Sequence, residues 1–229
     1  MTKLVVLTGA GISAESGIKT FRDNNGLWEE YDVQKVASID GWYEDPKLVL
    51  QFYNARRQQL AKAQPNEAHY ILSDLQNNFD VQIITQNVDN LHERSDSKNV
   101  LHLHGELTKV RSVNNESLVY DIGYEDIAWG DTAEDKGQLR PHIVWFGEAV
   151  PMMNIAVDRV QKADIFAVVG TSLNVYPAAG LVDYVKPNIP LFLIDPNNVG
   201  FHHPQLTVFQ EKASVGMAKM REALHKLKE

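Results

Sequence analysis

Four short stretches carry residue types that could do chemistry. The first is Gly9-Ala10-Gly11-Ile12-Ser13-Ala14, which follows the apolar run 4–8. It fits the pattern G-x-G-x-x-G/A between a strand and a helix start. Glycines there allow a tight turn and close backbone approach to a pyrophosphate, and free amides with the helix dipole favour the anion. A redox dehydrogenase would continue a helix and then a strand ending in an acidic residue. Here Gly17 breaks the helix early, and Phe21-Arg22 follow in a loop. An Arg suits phosphate and an aromatic ring suits a nicotinamide face, although taken singly a core aromatic and a surface charge are the better readings.

The second stretch, Gln86-Asn87-Val88-Asp89-Asn90-Leu91-His92, lies just past the apolar run 81–85. Polar residues beyond the C-terminal end of a strand sit where α/β sheets bind ligands. The third is His102-Leu103-His104-Gly105. On a strand the two imidazoles would share one face. A metal pair needs further ligands, and no His-rich or Cys partner stands nearby. A general base needs one His that titrates near neutrality beside a glycine that admits substrate, which favours His104. The fourth is Tyr53 with Arg56, neighbours at i, i+3 on a helix. A buried Arg with a Tyr hydroxyl makes a carboxylate receptor. The plainer alternative is that Arg56 pairs with a local acid and Tyr53 packs.

The elements that must position these groups are legible as periods. Short apolar runs at 4–8, 81–85, 165–170 and 191–194 read as buried strands of a parallel sheet, with weaker candidates at 100–103 and 143–146. Helical spacing marks 46–63, 66–76 and 215–228. Alternating strands and helices predict an α/β fold, a Rossmann-like doubly wound parallel sheet. Two segments break the alternation. Residues 23–64 are helical and aromatic, and residues 108–139 are polar and acidic. They are expected to form a small second domain, with 1–22, 65–107 and 140–229 making the larger one. A pair of surface loops is the alternative.

Composition closes several routes. The chain has no cysteine, so disulfides, thiolate-held zinc and a cysteine nucleophile are excluded. A net charge of −8 without a basic stripe argues against nucleic acid. No apolar run approaches the ~20 residues of a membrane span, and the first strand is too short for a signal segment. A cytoplasmic monomer with no membrane partner is the expectation.

Taken in order, residues 9–18 with Phe21-Arg22, then 85–92, His104-Gly105, Phe146-Gly147-Glu148 and Gly170-Thr171-Ser172 resemble the signature of the sirtuin family over nearly the whole chain. The resemblance implies an NAD-dependent protein-lysine deacylase. NAD would be consumed, with release of nicotinamide and O-acyl-ADP-ribose. Gly9, Ala10, Gly11, Arg22, Gly170, Thr171 and Ser172 would then hold the NAD phosphates and ribose, and Gln86 the nicotinamide ribose. Ile12 and Asp89 would hold the carboxamide, Asn87 would order the reacting centre, Phe21 would shield the ribose carbon, and His104 would be the base. Acyl-lysine proteins or peptides would pair with Val144, Phe146, Gly147 and Glu148 on one side and Val175 on the other. Tyr53-x-x-Arg56, with a small Ala37, is similar to the pair in desuccinylating members, which implies succinyl and malonyl as well as acetyl substrates.

The pattern is broken in two places. Most sirtuins carry four zinc cysteines between the His-Gly and Phe-Gly-Glu motifs. Here Ser112 stands at the first, and Gly137-Gln138 resembles a shortened knuckle. No zinc is expected, and Val110, Leu118, Tyr120, Ile122 and Trp129 are expected to hold the lobe by packing. Leu193 falls where the family has a ribose-binding Asn, so Asp195 or Asn197 is expected to replace it. ADP-ribosyl transfer or NAD glycohydrolysis would use the same site with another acceptor. A non-catalytic nucleotide-binding module is a further alternative.

Overall fold

A computed structural model describes residues 1–18, 31–200 and 202–227. The chain starts with β1 (Lys3–Thr8), whose Leu4, Val5, Val6 and Leu7 are all 0 % exposed. A strand covered on both faces reads as one continuous apolar run, which is why this element needs no alternation. β2 (Asp80–Thr85) and β3 (Val100–His102) extend the sheet on one side of β1. β4 (Gly105–Ser112), β5 (Val119–Asp121) and β6 (Leu139–Ile143) leave it to form a separate antiparallel sheet in the order β5-β4-β6. The chain then returns to the other side of β1 as β7 (Ile165–Val169), β8 (Leu191–Ile194) and β9 (Leu206–Phe209). The large sheet runs β3-β2-β1-β7-β8-β9, every pair parallel. The doubly wound sheet is as expected, and its topological switch point falls between β1 and β7. In such sheets ligands bind beyond the strand ends at that point.

Helices cover both faces. On one side Leu4, Val6, Ile83 and Ala167 pack against Ile71, Leu72 and Leu75, and against Met217, Met220 and Leu224. On the other Val5, Leu7, Ile84, Phe166 and Val168 meet Ala156, Val160 and Leu181. Of the helices, α1 (Ala10–Ser13) is the glycine turn. α2 (Val33–Val36), α3 (Ile39–Glu44) and α4 (Pro46–Lys62) make up the helical insertion. α4 begins as its sequence dictates: Asp45 caps the Leu48 amide, and Pro46 sits in the first turn, where its missing N–H costs nothing. α5 (Glu67–Leu75) opens with Asn66 and His69 bonding each other's main-chain amides. α6 (Leu91–Arg94) follows β2, α7 (Met153–Gln161) precedes β7, and α8 (Ala213–Lys226) ends the described chain.

Several elements differ from expectation. The strand anticipated at 143–146 is β6, shifted earlier and paired with β4 rather than with the parallel sheet. The run after it is instead tied to the helical insertion, since the Phe146 amide donates to Ala37 and its carbonyl accepts from Ile39. β9 and α7 escaped sequence reading. β9 is a half-exposed edge strand and α7 buries only Ala156 and Val160, so neither shows a strong apolar period.

The cysteine-free lobe is fastened by more than packing. Val110 is buried with Ile143 and Trp145, and Tyr120 and Ile122 lean on that cluster. Trp129 is half exposed and lies 6.4 Å from Trp42, while Leu118 contributes its main chain to Ser112. The Ser112 hydroxyl lies 2.8 Å from both Asp135 carboxylate oxygens. Asp135 also accepts the Gly137 amide at 2.9 Å. From α4, Asn54 exchanges two hydrogen bonds with the Ile127 main chain. Arg57, wholly buried, donates to the Leu107 carbonyl at 2.8 Å, to Asn54 Oδ1 and to the Glu125 carbonyl. Among the described residues, no three His, Asp or Glu side chains gather to hold a metal.

Candidate active site

A cavity of about 800 Å3 opens at the switch point, floored by the turns after β1, β2, β7 and β8. The turns after β1 and β7 are locked together. The Gly9 amide donates to Val169 O at 3.0 Å and the Gly11 amide to Gly170 O at 2.8 Å. A Cβ on Gly11 would stand 2.6 Å from Gly170 Cα, so the motif glycine is demanded by this backbone crossing. Gly9, Ala10 and Gly11 line the cavity with Gly170, Thr171 and Ser172. Gln86, just past β2, ties a third turn to the one after β7 by donating to Thr171 Oγ1 at 3.1 Å. Asp195 and Asn197 reach the same cavity beyond β8, and Asp195 Oδ1 accepts both Asn197 nitrogens. Leu193 points into the core, as its chemistry requires. Ile12 is not on the cavity wall: it is 0 % exposed and packs among Leu4 and Val6. Phe21 and Arg22 lie outside the described residues.

His104 and the polar turn after β2 face one another. His104 Nδ1 lies 3.0 Å from the Gln86 carbonyl. A carbonyl only accepts, so Nδ1 carries the hydrogen and Nε2 keeps a lone pair. Burial holds the imidazole below its usual range, with the Gln86 bond working against it. His104 is therefore neutral at physiological pH, as a base must be. Asn87 and Asp89 are held by Ser13, which sequence reading passed over. The Ser13 hydroxyl donates to Asp89 Oδ2 at 2.9 Å and accepts from Asn87 Nδ2 at 3.1 Å. Burial raises the Asp89 carboxyl against the Leu91 amide and Ser13.

His102 and His104 do not form a pair. β3 ends at His102, and His104 sits in the bend that follows. His102 Nδ1 faces Asn87 O at 3.0 Å and Nε2 faces Glu93 Oε1 at 2.8 Å. Two acceptors make both nitrogens donors. Burial opposes that charge, but Glu93 outweighs it and raises the pKa. Gly105 also has a different reason from the one its neighbour suggested. Its φ is 80°, and a Cβ there would lie 2.0 Å from the His142 carbonyl, so it serves the crossing of β4 and β6.

Ala37, Tyr53 and Arg56 line the same cavity. The Trp145 indole donates to the Tyr53 oxygen at 2.9 Å. Burial pushes the Tyr53 phenol up to about 12, with Arg56 and Trp145 opposing. Arg56 is partly exposed, and its guanidinium lies 5.7 Å from the Phe52 ring centroid. Burial lowers its pKa, while Tyr53 and Asp89 oppose the shift. Val144, Phe146, Gly147 and Glu148 form one lip of the opening and Val175, Tyr176 and Pro177 also line it. The Glu148 carboxylate is engaged within the protein. It accepts from Arg140 at 2.7 and 3.0 Å, from Arg111 at 3.2 Å and from the Trp145 amide at 2.8 Å. Burial would raise the Glu148 carboxyl, but these donors hold it below the usual range. Lys212, also missed, lines the cavity with Asp195; it belongs to no motif and only the fold brings it there.

A doubly wound sheet with a glycine turn at its switch point, and a neutral imidazole facing the same cavity, defines a nucleotide-binding α/β protein. Residues 9–177 match the model of the Sir2 family. An NAD-dependent protein deacylase of Bacteroides thetaiotaomicron is 53% identical over 230 residues, covering 98% of each chain. One from Helicobacter pylori (strain ATCC 700392 / 26695) is 53% identical over 205 residues, covering 90% of this chain and 89% of its own. A crystal structure of a Sir2 homologue with NAD superposes with a TM-score of 0.86 at 36% identity, covering 98% of this chain and 90% of the other. A mutant Sir2 homologue in complex with ADP-ribose gives 0.87 at 36% identity, covering 98% and 92%. The chain belongs to the Sir2 family.

Proposed function

We propose that this protein is an NAD-dependent protein-lysine deacylase that removes succinyl and malonyl groups as well as acetyl, releasing nicotinamide and O-acyl-ADP-ribose. One observation carries the reading: the glycine turn, His104 and the Tyr53/Arg56 pair line a single cavity. A dinucleotide fits the turn side. Gly9–Gly11 amides, Thr171, Ser172 and Gln86 would hold phosphates and ribose, and Asp195 or Asn197 would replace the ribose contact that Leu193 cannot make. Bound NAD supplies a ribose carbon made reactive by departure of nicotinamide. His104 Nε2 is the lone pair that takes a proton from the ribose hydroxyl. Ser13 fixes Asn87 and Asp89 beside that centre, which leaves less to reorganise during reaction. A substrate peptide adds as a strand. Phe146 already bonds Ala37 and Ile39, and the Val144 amide donates to the His104 carbonyl at 2.9 Å, so the Val144 carbonyl and Gly147 are the main-chain partners left to it. Tyr53 and Arg56 receive the acyl carboxylate, and Ala37 leaves room for it. Within the proposed small domain, 23–64 and 108–139, this acyl end draws on the helical insertion, through Ala37, Tyr53 and Arg56.

The test is incubation with NAD and peptides bearing acetyl-, malonyl- and succinyl-lysine, with products identified by mass. O-acyl-ADP-ribose and free lysine are expected. ADP-ribose alone, or ADP-ribose attached to protein, would replace the reading by glycohydrolase or transferase activity.

A further inference from the structure

Trp145 lines the cavity with Tyr53 and Arg56 and is 2 % exposed. Its ring is 5.4 Å from Trp42 and 6.1 Å from Tyr53, and the Arg140 guanidinium lies 3.5 Å over it. Glu148 braces both ends of this arrangement. It binds Arg140, and it accepts the Trp145 main-chain amide. The indole therefore has one orientation, with Nε1 aimed at the Tyr53 oxygen 2.9 Å away.

An indole N–H can only donate. The Tyr53 oxygen must accept it, so the phenol hydrogen turns elsewhere. Among the described residues no hydrogen-bond acceptor is placed on that hydrogen, although the Tyr53 side chain is only 3 % exposed and lines the cavity. A buried donor without an acceptor is costly, so the site demands one from its ligand. Arg56 stands on the same wall and is also donor-only.

From this geometry we infer that Trp145 is a positioning residue for acyl specificity. Its indole N–H locks the Tyr53 hydroxyl as a donor into the cavity, so the site selects acyl groups that end in an ionised carboxylate. A hydroxyl free to rotate would accept from a substrate as readily as donate to it, and would discriminate less. The inference rests on the reading of Tyr53 and Arg56 as a carboxylate clamp.

The test uses Trp145→Phe, which keeps an aromatic ring and removes the N–H, alone and combined with Tyr53→Phe. Steady-state kinetics at saturating NAD compare succinyl- and acetyl-lysine in one peptide sequence. The succinyl-to-acetyl ratio of kcat/KM is expected to fall about tenfold in Trp145→Phe, carried mainly by KM for the succinyl peptide. In the Tyr53→Phe background the same substitution should leave that ratio where it was. An unchanged ratio in the single variant, or an equal further drop on top of Tyr53→Phe, overturns the inference. Should Trp145→Phe not fold, the indole N–H signals of the wild type and Tyr53→Phe decide. One slowly exchanging indole resonance should shift and exchange faster when the phenol is gone, and no change overturns the inference. Failure of the clamp itself looks different: wild type would lack succinyl preference and Arg56→Met would change nothing, and the specificity role of Trp145 would fall with it.

Discussion

The two sides of the cavity are built by opposite means. On the cofactor side, position is set by main chain. Parallel strands end at one level, Gly11 and Gly170 cross at close range, and a backbone carbonyl sets the His104 tautomer. On the small-lobe side, position is set by side chains reaching across the chain. Asn54 and Arg57 grip residues 125–127, Ser112 holds Asp135, and Glu148 gathers Arg140 and Arg111. A thiolate-zinc cluster is impossible without cysteine, and these hydrogen bonds fasten the lobe. A metal site concentrates stability at one point. This lobe spreads it over several modest contacts.

Five substitutions sharpen or break that contrast. The largest effect belongs to His104→Tyr, which should lower deacylation by about 10² to 10⁴-fold while the melting curve stays cooperative. Because burial holds the wild-type imidazole below its usual pKa, activity should persist through neutrality and fall only as pH drops below the ordinary imidazole range. A kinetic midpoint above neutrality would contradict the neutral-base assignment. On the lobe side, Arg57→Met leaves the Leu107 and Glu125 carbonyls without their buried donor and should cost about 3 kcal/mol in urea unfolding. An unfolding midpoint equal to wild type would mean that packing alone holds the lobe. Gly11→Ala forces the two turns apart and should cost about 2 kcal/mol with weaker NAD binding by calorimetry. If the alanine variant binds NAD like the wild type, the crossing is not what sets the cofactor side.

Smaller effects follow. Arg56→Met should reduce desuccinylation about tenfold or more relative to deacetylation, and equal losses on both substrates would reject the clamp. Ser112→Ala should cost about 1 kcal/mol, and metal analysis of the wild type should find no stoichiometric zinc. About one zinc per chain, or unfolding on addition of a chelator, would break the picture of a lobe held by hydrogen bonds.

The cofactor side was largely legible in the sequence. Strands buried on both faces leave unbroken apolar runs, and the residues beyond their ends are contiguous motifs. The doubly wound sheet and the polar turn at 86–92 could therefore be read without coordinates. The lobe side was not. Residues 139–143 show no strand period, because Arg140, Pro141 and His142 hide it, and the weak candidate fell at 143–146 instead. Glu148 read as a substrate contact because its three donors come from Arg111, Arg140 and a main-chain amide that no motif advertises. Gly105 read as an opening for substrate, when the nearby His142 carbonyl is what forbids a side chain there.

The sequence by itself determined the sheet, the order of its motifs and the absence of thiolate metal binding, since these depend on residue type and on spacing over a few positions. Only the tertiary structure decided which donors meet which acceptors. Ser13 reaches Asp89 across 76 positions and Trp145 reaches Tyr53 across 92. No local period records such pairs, because they exist only after the strands have brought distant turns to one end of the sheet and the lobe has closed beside them.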